Sequence, residues 1–210
     1  MTPYSATSAA RDLAQACRGL ADLGLSPGSS GNASVRTEEG FLTTPTGRPL
    51  GDLTASDLSF LDASGRHRDG PPPTKEVPLH LRWYARAPHH RAVVHLHSTH
   101  AVAAACLVPA DDASVFPPYT PYSVMRLGAV PLLGYAPPGS EALAALADHL
   151  PSSTRACLLA QHGSMTMAHD LATAVQGAVE LEETARLHLL LTPRRTVRTL
   201  SDDERTALLP

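Results

Sequence analysis

The sequence predicts an α/β fold, because short apolar segments typical of strands alternate along the chain with longer segments of helical character. The apolar segments 92–97 and 156–160 are the clearest strands, and polar residues or a turn follow each of them. The segments 7–23 and 170–191 are the clearest helices, since both are rich in alanine and leucine over several turns. These two strands and two helices are the main basis for predicting the α/β class.

The first third of the chain is predicted to form one helix and two short strands. Helix 7–23 should end at Gly24, because glycine readily adopts the left-handed conformation of a helix C-cap. A loop of small residues, 25–32, follows the helix. After it the predicted elements are strand 33–36, strand 40–44 and a turn at 45–49.

The next stretch is predicted to combine turns with one helix. Thr54 is the predicted N-cap of a short turn that ends at Asp57. Residues 62–73 are polar and rich in proline, which favours a surface loop. Residues 77–87 favour a helix, since Pro78 is tolerated in its first turn.

The rest of the chain continues the alternation of helices and strands. After strand 92–97 the predicted elements are helix 99–107, loop 108–121, helix 140–150, strand 156–160, a turn at 161–163 and helix 170–191. Asp170 is the predicted N-cap of the last helix. The polar tail from Thr192 onward is predicted to be loosely held.

Composition narrows the classes of protein. The 210 residues show no internal repeat or dividing linker, so we expect a single domain, 1–210. A formal net charge of -3 argues against a nucleic-acid partner, and no apolar segment is long enough for a membrane span. The start of the chain does not resemble a signal peptide, and the three cysteines are widely spaced. They are predicted to be buried thiols, which indicates a cytoplasmic protein.

His95 and His97 are the first candidate site residues. Residues i and i+2 of a strand share one face, so both imidazoles can point at the same place. A metal ion is one reason for that arrangement, and two half-buried histidines on a sheet face are the alternative. His100 is a competing ligand, but the predicted strand has ended before it, so we expect it to point elsewhere.

His162 and Glu76 are the next candidates. His162 follows a buried strand at a turn, where α/β sheets commonly place ligand sites, although a histidine satisfied within the turn is the alternative. Glu76 precedes a helix. It is either a residue that only stabilises the helix N-terminus or a metal ligand and proton-transfer group.

Two turns of small residues can bind an anion through backbone N–H groups and hydroxyls. They are the segments 29–32 and 44–47, and neither matches a Walker loop or a dinucleotide fingerprint. Lys75, beside Glu76, supplies the cation that a phosphate group favours.

Five segments together resemble the class II aldolase/adducin-head family, which has the fold of L-fuculose-phosphate aldolase. They occur in the family's order and span nearly the whole chain: 30–36, 44–47, Glu76, 95–97 and 161–163. The resemblance implies a three-layer α/β/α sandwich around a central, mainly antiparallel sheet. One departure is Gln161, where the family usually has asparagine before the histidine.

The resemblance also implies a site. It implies a divalent metal held by His95, His97 and His162, usually Zn²⁺ with Mn²⁺ or Co²⁺ as alternatives, and Glu76 as the acid/base that also ligates the empty metal. A homotetramer with the site near a subunit boundary is implied as well. Phosphate-binding residues and tyrosines from a neighbouring subunit complete the implied set: Gly31, Asn32, Thr46, Gly47, Thr74 and Lys75, with Tyr119 and Tyr122 as the tyrosines.

Within the family, the segments 95–102, 120–128 and 180–185, together with Lys75, look most like 3-oxo-tetronate 4-phosphate decarboxylases. The implied reaction is cleavage of a carbon–carbon bond through a metal-stabilised enediolate, giving dihydroxyacetone phosphate and CO2. The alternatives are retro-aldol cleavage of a ketose 1-phosphate, an epimerase or dehydratase on the same scaffold, and a non-catalytic assembly module like the adducin head.

Overall fold

The computed structural model describes residues 6–107, 113–194 and 196–208. Eight strands form one sheet with the order β4-β3-β2-β1-β5-β8-β7-β6. The strands are β1 (Asn32–Arg36), β2 (Gly40–Thr43), β3 (Ser59–Asp62), β4 (His67–Asp69), β5 (Ala92–Leu96), β6 (Leu132–Leu133), β7 (Ala156–Leu159) and β8 (Gly163–Ala168). All neighbouring strands are antiparallel except β6 and β7, which are parallel.

Helices cover both faces of the sheet. They are α1 (Ala6–Asp22), α2 (Val77–Arg86), α3 (Thr99–Ala105), α4 (Pro121–Leu127), α5 (Glu141–Leu146), α6 (Leu171–Leu191) and α7 (Asp202–Thr206). Residues of α2 and α5 pack on one face of the sheet, and residues of α1, α3 and α6 pack on the other. The α/β class and the three-layer arrangement with a mainly antiparallel sheet are therefore confirmed.

Several local predictions are confirmed by their caps. Gly24 follows α1 with a φ of 75°, as expected for a glycine at a helix C-terminus. Thr54 and Asp57 form a capping box around a short 3-10 turn. The Asp170 side chain accepts a hydrogen bond from the Thr173 N–H at the start of α6.

Other elements differ from the prediction. Strands β3, β6 and β8 and helix α4 were not predicted, although Thr120 followed by a proline is a typical helix start. The predicted loop 62–73 contains β4, an exposed edge strand. The predicted helix 140–150 ends early and continues as a 3-10 turn, Ala147–His149. Residues 108–112 of the predicted loop lie outside the described residues.

The tail is better held than predicted. Ser201 and Glu204 form a capping box at the start of α7, and the Leu200 N–H donates to the Pro118 carbonyl oxygen at 2.9 Å. Local capping therefore orders a polar segment that lacks an apolar face.

The cysteines follow the prediction in two of three positions. Cys17 and Cys157 are buried, whereas Cys106 is exposed because it lies at the C-cap of α3. All three are free thiols. Among the described residues, no helix combines the length and apolar character needed to cross a bilayer.

Candidate active site

The centre of the sheet brings the three predicted histidines together. His95 lies near the end of β5, His97 directly follows that strand, and His162 lies in the turn between β7 and its neighbour β8. The ring centroids of each pair lie 4.7–4.9 Å apart. Nε2 of His95 is 2.8 Å from Nε2 of His97. The shared strand face thus places both side chains at one point, as the spacing predicted.

Glu76 reaches this cluster from the start of α2. Its Oε2 atom is 3.0 Å from Nε2 of His95, and its Oε1 atom is 3.3 Å from Nε2 of His162. The side chain makes no capping hydrogen bond to α2, although Glu76 occupies the N-cap position. The Glu76 carboxylate thus points at the histidines rather than capping α2, which argues against a purely helix-stabilising role.

The donor set fits a divalent metal. One ligand atom from each of the four residues lies within 4.8 Å of all the others, and three imidazoles with a carboxylate are donors that zinc-type ions favour. Oε1 of Glu76 and both ring nitrogens of His162 are buried without a hydrogen-bond partner among the described residues. Buried polar atoms are normally satisfied, so an ion at this point would supply the partner that Glu76 Oε1 and His162 Nε2 lack.

The tautomer of His95 also suits a ligand. Its Nδ1 atom lies 2.8 Å from the Ser164 carbonyl oxygen, which can only accept a hydrogen bond. Nδ1 therefore carries a proton, so Nε2 is the nitrogen that His95 presents to Glu76 and to His97.

The ionisation states of the cluster favour metal binding. Burial lowers the pKa of His97 to about 4, and it also lowers the pKa of His162, so both rings are neutral near pH 7. Burial alone raises the pKa of Glu76, but the charge and hydrogen bond of His95 and the Asn32 amide outweigh it and lower that pKa below its usual range. Neutral imidazole and ionised carboxylate are the forms that bind a cation.

Two glycines allow the close packing around the cluster. A Cβ atom added to Gly31 would lie 2.9 Å from the His95 carbonyl oxygen, and Gly31 has a φ of 77°. A Cβ atom added to Gly163 would lie 2.4 Å from the Leu96 carbonyl oxygen and 3.1 Å from Cδ2 of His97. Any larger residue at Gly163 would push β8 away from β5 and from His97, and would so open the histidine cluster.

The comparisons with known proteins agree with this geometry. Residues 11–189 match the family model described as Class II Aldolase and Adducin N-terminal domain. The chain belongs to the class II aldolase and adducin family. It is 42% identical over 182 residues to 3-oxo-tetronate 4-phosphate decarboxylase of Pectobacterium atrosepticum, covering 86% of this chain and 83% of that protein.

Two further members of the family are similar over almost the whole chain. L-fuculose phosphate aldolase of Escherichia coli K12 is 34% identical over 203 residues, which cover 95% of this chain and 92% of that protein. The crystal structure of YgbL from Escherichia coli superposes with a TM-score of 0.92 at 38% identity, covering 97% of this chain and 98% of that chain.

The segments that the family resemblance assigns to phosphate lie beside Glu76. Thr74 N–H donates to the Thr44 carbonyl oxygen, and Thr46 N–H donates to the Pro72 carbonyl oxygen, both at 3.0 Å. These bonds join the turn 44–47 to the segment that carries Glu76. Thr46, Gly47 and Lys75 are exposed and Thr74 is buried. Their phosphate-binding role stays a prediction.

Asn32 has a different set of contacts from the other predicted phosphate ligands. Its Nδ2 donates to Oε2 of Glu76 at 2.9 Å, and its Oδ1 lies 2.6 Å from Nε2 of His80. Both ends of the amide are therefore engaged within the protein. A contact between this side chain and phosphate stays a prediction that the present geometry does not favour.

The two predicted tyrosines differ in their surroundings. The Tyr119 hydroxyl lies 2.9 Å from Nδ1 of His188 in the same chain, and burial raises its pKa. Tyr122 is 59% exposed on α4 and lies against the Arg126 guanidinium. Tyr122 is thus the better placed of the two to reach another subunit.

Glu182 is a residue to which the sequence assigned no role. Its Oε2 accepts hydrogen bonds from the Ser98 hydroxyl at 2.7 Å and the Ala101 N–H at 2.9 Å. Its Oε1 accepts from the His100 N–H at 3.0 Å and lies 2.8 Å from His100 Nδ1. This carboxylate from α6 fixes the chain directly after His97, and it explains why His100 points away from the cluster.

Replacing Glu182 by glutamine is expected to lower the free energy of unfolding at pH 7 by about 1–3 kcal/mol, because the charged acceptor of several hydrogen bonds is lost. Burial alone raises the pKa of Glu182, but the hydrogen bonds from Ser98, His100 and Ala101 outweigh it and lower that pKa. The charged form therefore stabilises the fold above the unfolded-state pKa of about 4.3, and this contribution is lost as the pH falls through the lower folded-state pKa.

Urea unfolding at pH 7 and below pH 4 measures this effect. The difference in the free energy of unfolding between wild type and Glu182→Gln should be smaller at the acidic pH than at pH 7. Glu183→Gln is the matched control, since Glu183 is exposed on the same helix. A pH-independent difference, or an equal loss in the control, would contradict the role of Glu182.

Proposed function

We propose that this chain is a metal-dependent carbon–carbon lyase that decarboxylates a 3-oxo-tetronate 4-phosphate to dihydroxyacetone phosphate and CO2. The observation that carries the proposal is the convergence of Glu76 with His95, His97 and His162 on one buried point. The similarity to the Pectobacterium decarboxylase over most of the chain supports this choice of reaction.

We assign metal binding to the three histidines, with Glu76 as a further ligand before substrate arrives, and we propose Zn²⁺ as the ion. A divalent ion there would act as a Lewis acid on substrate oxygens that gain negative charge. Mn²⁺ and Co²⁺ accept the same donors. The buried Nε2 atom of His162, which has no hydrogen-bond partner among the described residues, supports the assignment.

Glu76 is the proposed proton-transfer group. In decarboxylation the C1–C2 bond breaks, CO2 leaves, and its electron pair stays on the substrate as an enediolate spanning C2 and C3. Addition of one proton at C2 then gives dihydroxyacetone phosphate. Glu76 would take this proton from water and deliver it, since its carboxylate lies in the cluster rather than on the surface. The exposed Lys75 and the turn 44–47 are proposed to hold the substrate phosphate.

Retro-aldol cleavage of a ketose 1-phosphate is the second candidate. It would use the same residues, because cleavage of the C3–C4 bond leaves the same enediolate and releases an aldehyde. The 34% identity to L-fuculose phosphate aldolase supports it. An epimerase or dehydratase could also use such a site. A non-catalytic module needs no metal donors, so the cluster argues against the adducin-like alternative.

We propose that residues 1–210 work as one domain and assemble as a homotetramer. The described strands form one continuous sheet, and Asn32 of β1 contacts Glu76 beside the histidines of β5 and the β7–β8 turn, which supports the first part. Tyr122 is 59% exposed, so its side chain is accessible for the contact with a neighbouring subunit that we propose. Sedimentation analysis tests the assembly directly.

A substrate panel tests the reaction. Purified protein is incubated with 3-oxo-tetronate 4-phosphates and with fuculose, rhamnulose and ribulose phosphates, and CO2 and aldehyde are measured separately. We expect CO2 from the first group, abolished by a chelator and restored by Zn²⁺. Aldehyde release alone would favour the aldolase, and chelator-resistant activity would contradict the metal-dependent mechanism. Metal binding without turnover of any substrate would contradict the lyase proposal.

A further inference from the structure

A continuous row of buried polar side chains runs from Glu76 into the protein, away from the histidine cluster. Asn32 Nδ2 lies 2.9 Å from Oε2 of Glu76, and Asn32 Oδ1 lies 2.6 Å from Nε2 of His80. Nδ1 of His80 lies 2.7 Å from the Ser34 hydroxyl, which lies 2.9 Å from the Tyr84 hydroxyl. We call these four residues, Asn32, His80, Ser34 and Tyr84, the polar row.

The fold places the polar row by simple geometry. Asn32 and Ser34 are residues i and i+2 of β1, so their side chains share the face of the sheet on which α2 packs. Asn32 pairs with His95 on β5, which puts it beside the proposed metal ligand. His80 and Tyr84 are residues i and i+4 of α2 and therefore lie on the same side of that helix.

Burial makes this row costly unless every member is satisfied. Asn32 is 6% exposed, Ser34 and His80 are 2% exposed, and Tyr84 is 1% exposed. Unpaired polar groups at such depth destabilise a protein, and apolar side chains could fill the same space without that risk. The row therefore needs a functional reason, and among the described residues the side-chain hydrogen bond that links it to the proposed site is the one from Asn32 to Glu76.

The hydrogen bonds of the row admit one consistent direction. The ionised Glu76 carboxylate only accepts, so Asn32 must present its Nδ2 to Glu76 and its Oδ1 to His80. His80 must then donate from Nε2 and accept at Nδ1 from the Ser34 hydroxyl. The Tyr84 hydroxyl in turn donates to Ser34, either to its hydroxyl or to its carbonyl oxygen at 3.0 Å.

The ionisation of His80 agrees with this direction. Burial lowers the pKa of His80 to about 3, with a smaller contribution from His95, so the ring is neutral with one N–H and one lone pair. Tyr84 is likewise protonated, since burial raises its pKa. Each of the four residues therefore donates a hydrogen bond in the direction of Glu76, and each except Tyr84 accepts one from the next residue of the row.

We propose that His80 is a positioning residue which, by fixing the Asn32 amide, holds the Glu76 carboxylate in the orientation needed for proton transfer. The inference rests on the proposed function, in which Glu76 moves the proton. Without the N–H of His80, the amide could rotate and place Oδ1 against the carboxylate, which would displace Glu76. A displacement of about 1 Å at such a group can reduce turnover by about 100-fold.

Two substitutions of His80 separate positioning from packing. In His80→Gln the amide nitrogen can reach the place of Nε2 and donate to Asn32, whereas in His80→Asn the shorter amide reaches only the place of Nδ1. We expect His80→Asn to lower kcat by about 10- to 100-fold with KM and metal content nearly unchanged, and His80→Gln to keep kcat within about 3-fold of wild type. The matched control is Trp83→Phe, a buried position of α2 outside the polar row.

A double variant tests whether His80 acts through Glu76. Glu76→Gln combined with His80→Asn should be no slower than Glu76→Gln alone, because the positioned group is already gone. The proposal would be overturned if the double variant lost kcat by the product of the two single-variant losses. Equal losses in His80→Asn and His80→Gln, or a loss in Trp83→Phe as large as that in His80→Asn, would also overturn it.

A second measurement does not depend on turnover. Nitrogen NMR of the metal-free protein, labelled at histidine, should show His80 as the Nε2–H tautomer from pH 5 to pH 8. The Nδ1–H tautomer would overturn the assignment. If His80→Asn fails to fold, Ser34→Ala replaces it, with an expected loss of about 3- to 10-fold in kcat because the tautomer is no longer fixed. An inactive wild type would refute the proposed function, whereas an unexpected variant pattern in an active enzyme refutes only the role of His80.

Discussion

Replacing Glu76 by glutamine is expected to lower kcat by about 100- to 10,000-fold, the range that a lost general acid–base group typically gives. Glutamine has nearly the shape of glutamate and can still accept the hydrogen bond from Asn32 Nδ2, which lies 2.9 Å from the carboxylate. It cannot carry a proton to the substrate. The three histidines remain, so the metal should stay bound.

The measurement pairs turnover with metal content and melting temperature. Wild type and Glu76→Gln should contain equal amounts of divalent metal and melt within a few degrees of each other. Glu141→Gln is the control, since Glu141 is exposed at the start of α5. Turnover of Glu76→Gln close to that of wild type would show that another group moves the proton.

Replacing His97 by alanine should remove both the metal and the activity. His97 supplies one of three imidazoles, and its Nε2 lies 2.8 Å from that of His95. Loss of an outer-shell partner commonly weakens metal affinity about 10- to 100-fold, so loss of a direct ligand should cost more than about 100-fold. The His97 side chain is only partly buried, so the fold itself should survive its removal.

Elemental analysis after dialysis, together with turnover in added Zn²⁺, measures this loss. His149→Ala provides the comparison, because His149 is an exposed histidine in the 3-10 turn after α5. Full metal content and turnover in His97→Ala would mean that His97 is not a ligand.

The sequence predicted the core of the site because its geometry is local. The spacing of His95 and His97 on one strand requires only the alternation of side chains, and the turn at His162 required only a buried strand followed by a glycine. Glu76 was a candidate because a carboxylate stands directly before a helix, and the family resemblance then favoured its role in the site over helix stabilisation alone. The structure places all four together.

The sequence could not reveal the contacts that depend on strand order. Strand β8 was missed although residues 164–167 alternate between polar and apolar side chains, because this run is short and directly follows the turn predicted at 161–163. The antiparallel sense of the sheet came from the resemblance alone. Glu182 and His80 look like ordinary helix residues in the sequence, and only the packing of α6 and α2 reveals which polar groups they contact.

The proposed ligand set is drawn from distant parts of the chain, since Glu76 directly precedes α2 and His162 follows β7. An unfolded chain cannot bring these groups together, so an ion bound at this point would prefer the folded state. By mass action, free metal at about 1,000 times its dissociation constant would add about 4 kcal/mol to the free energy of unfolding. The catalytic ion would then also act as a cross-link between segments, and the thermal stability of the protein would follow the metal supply of its surroundings.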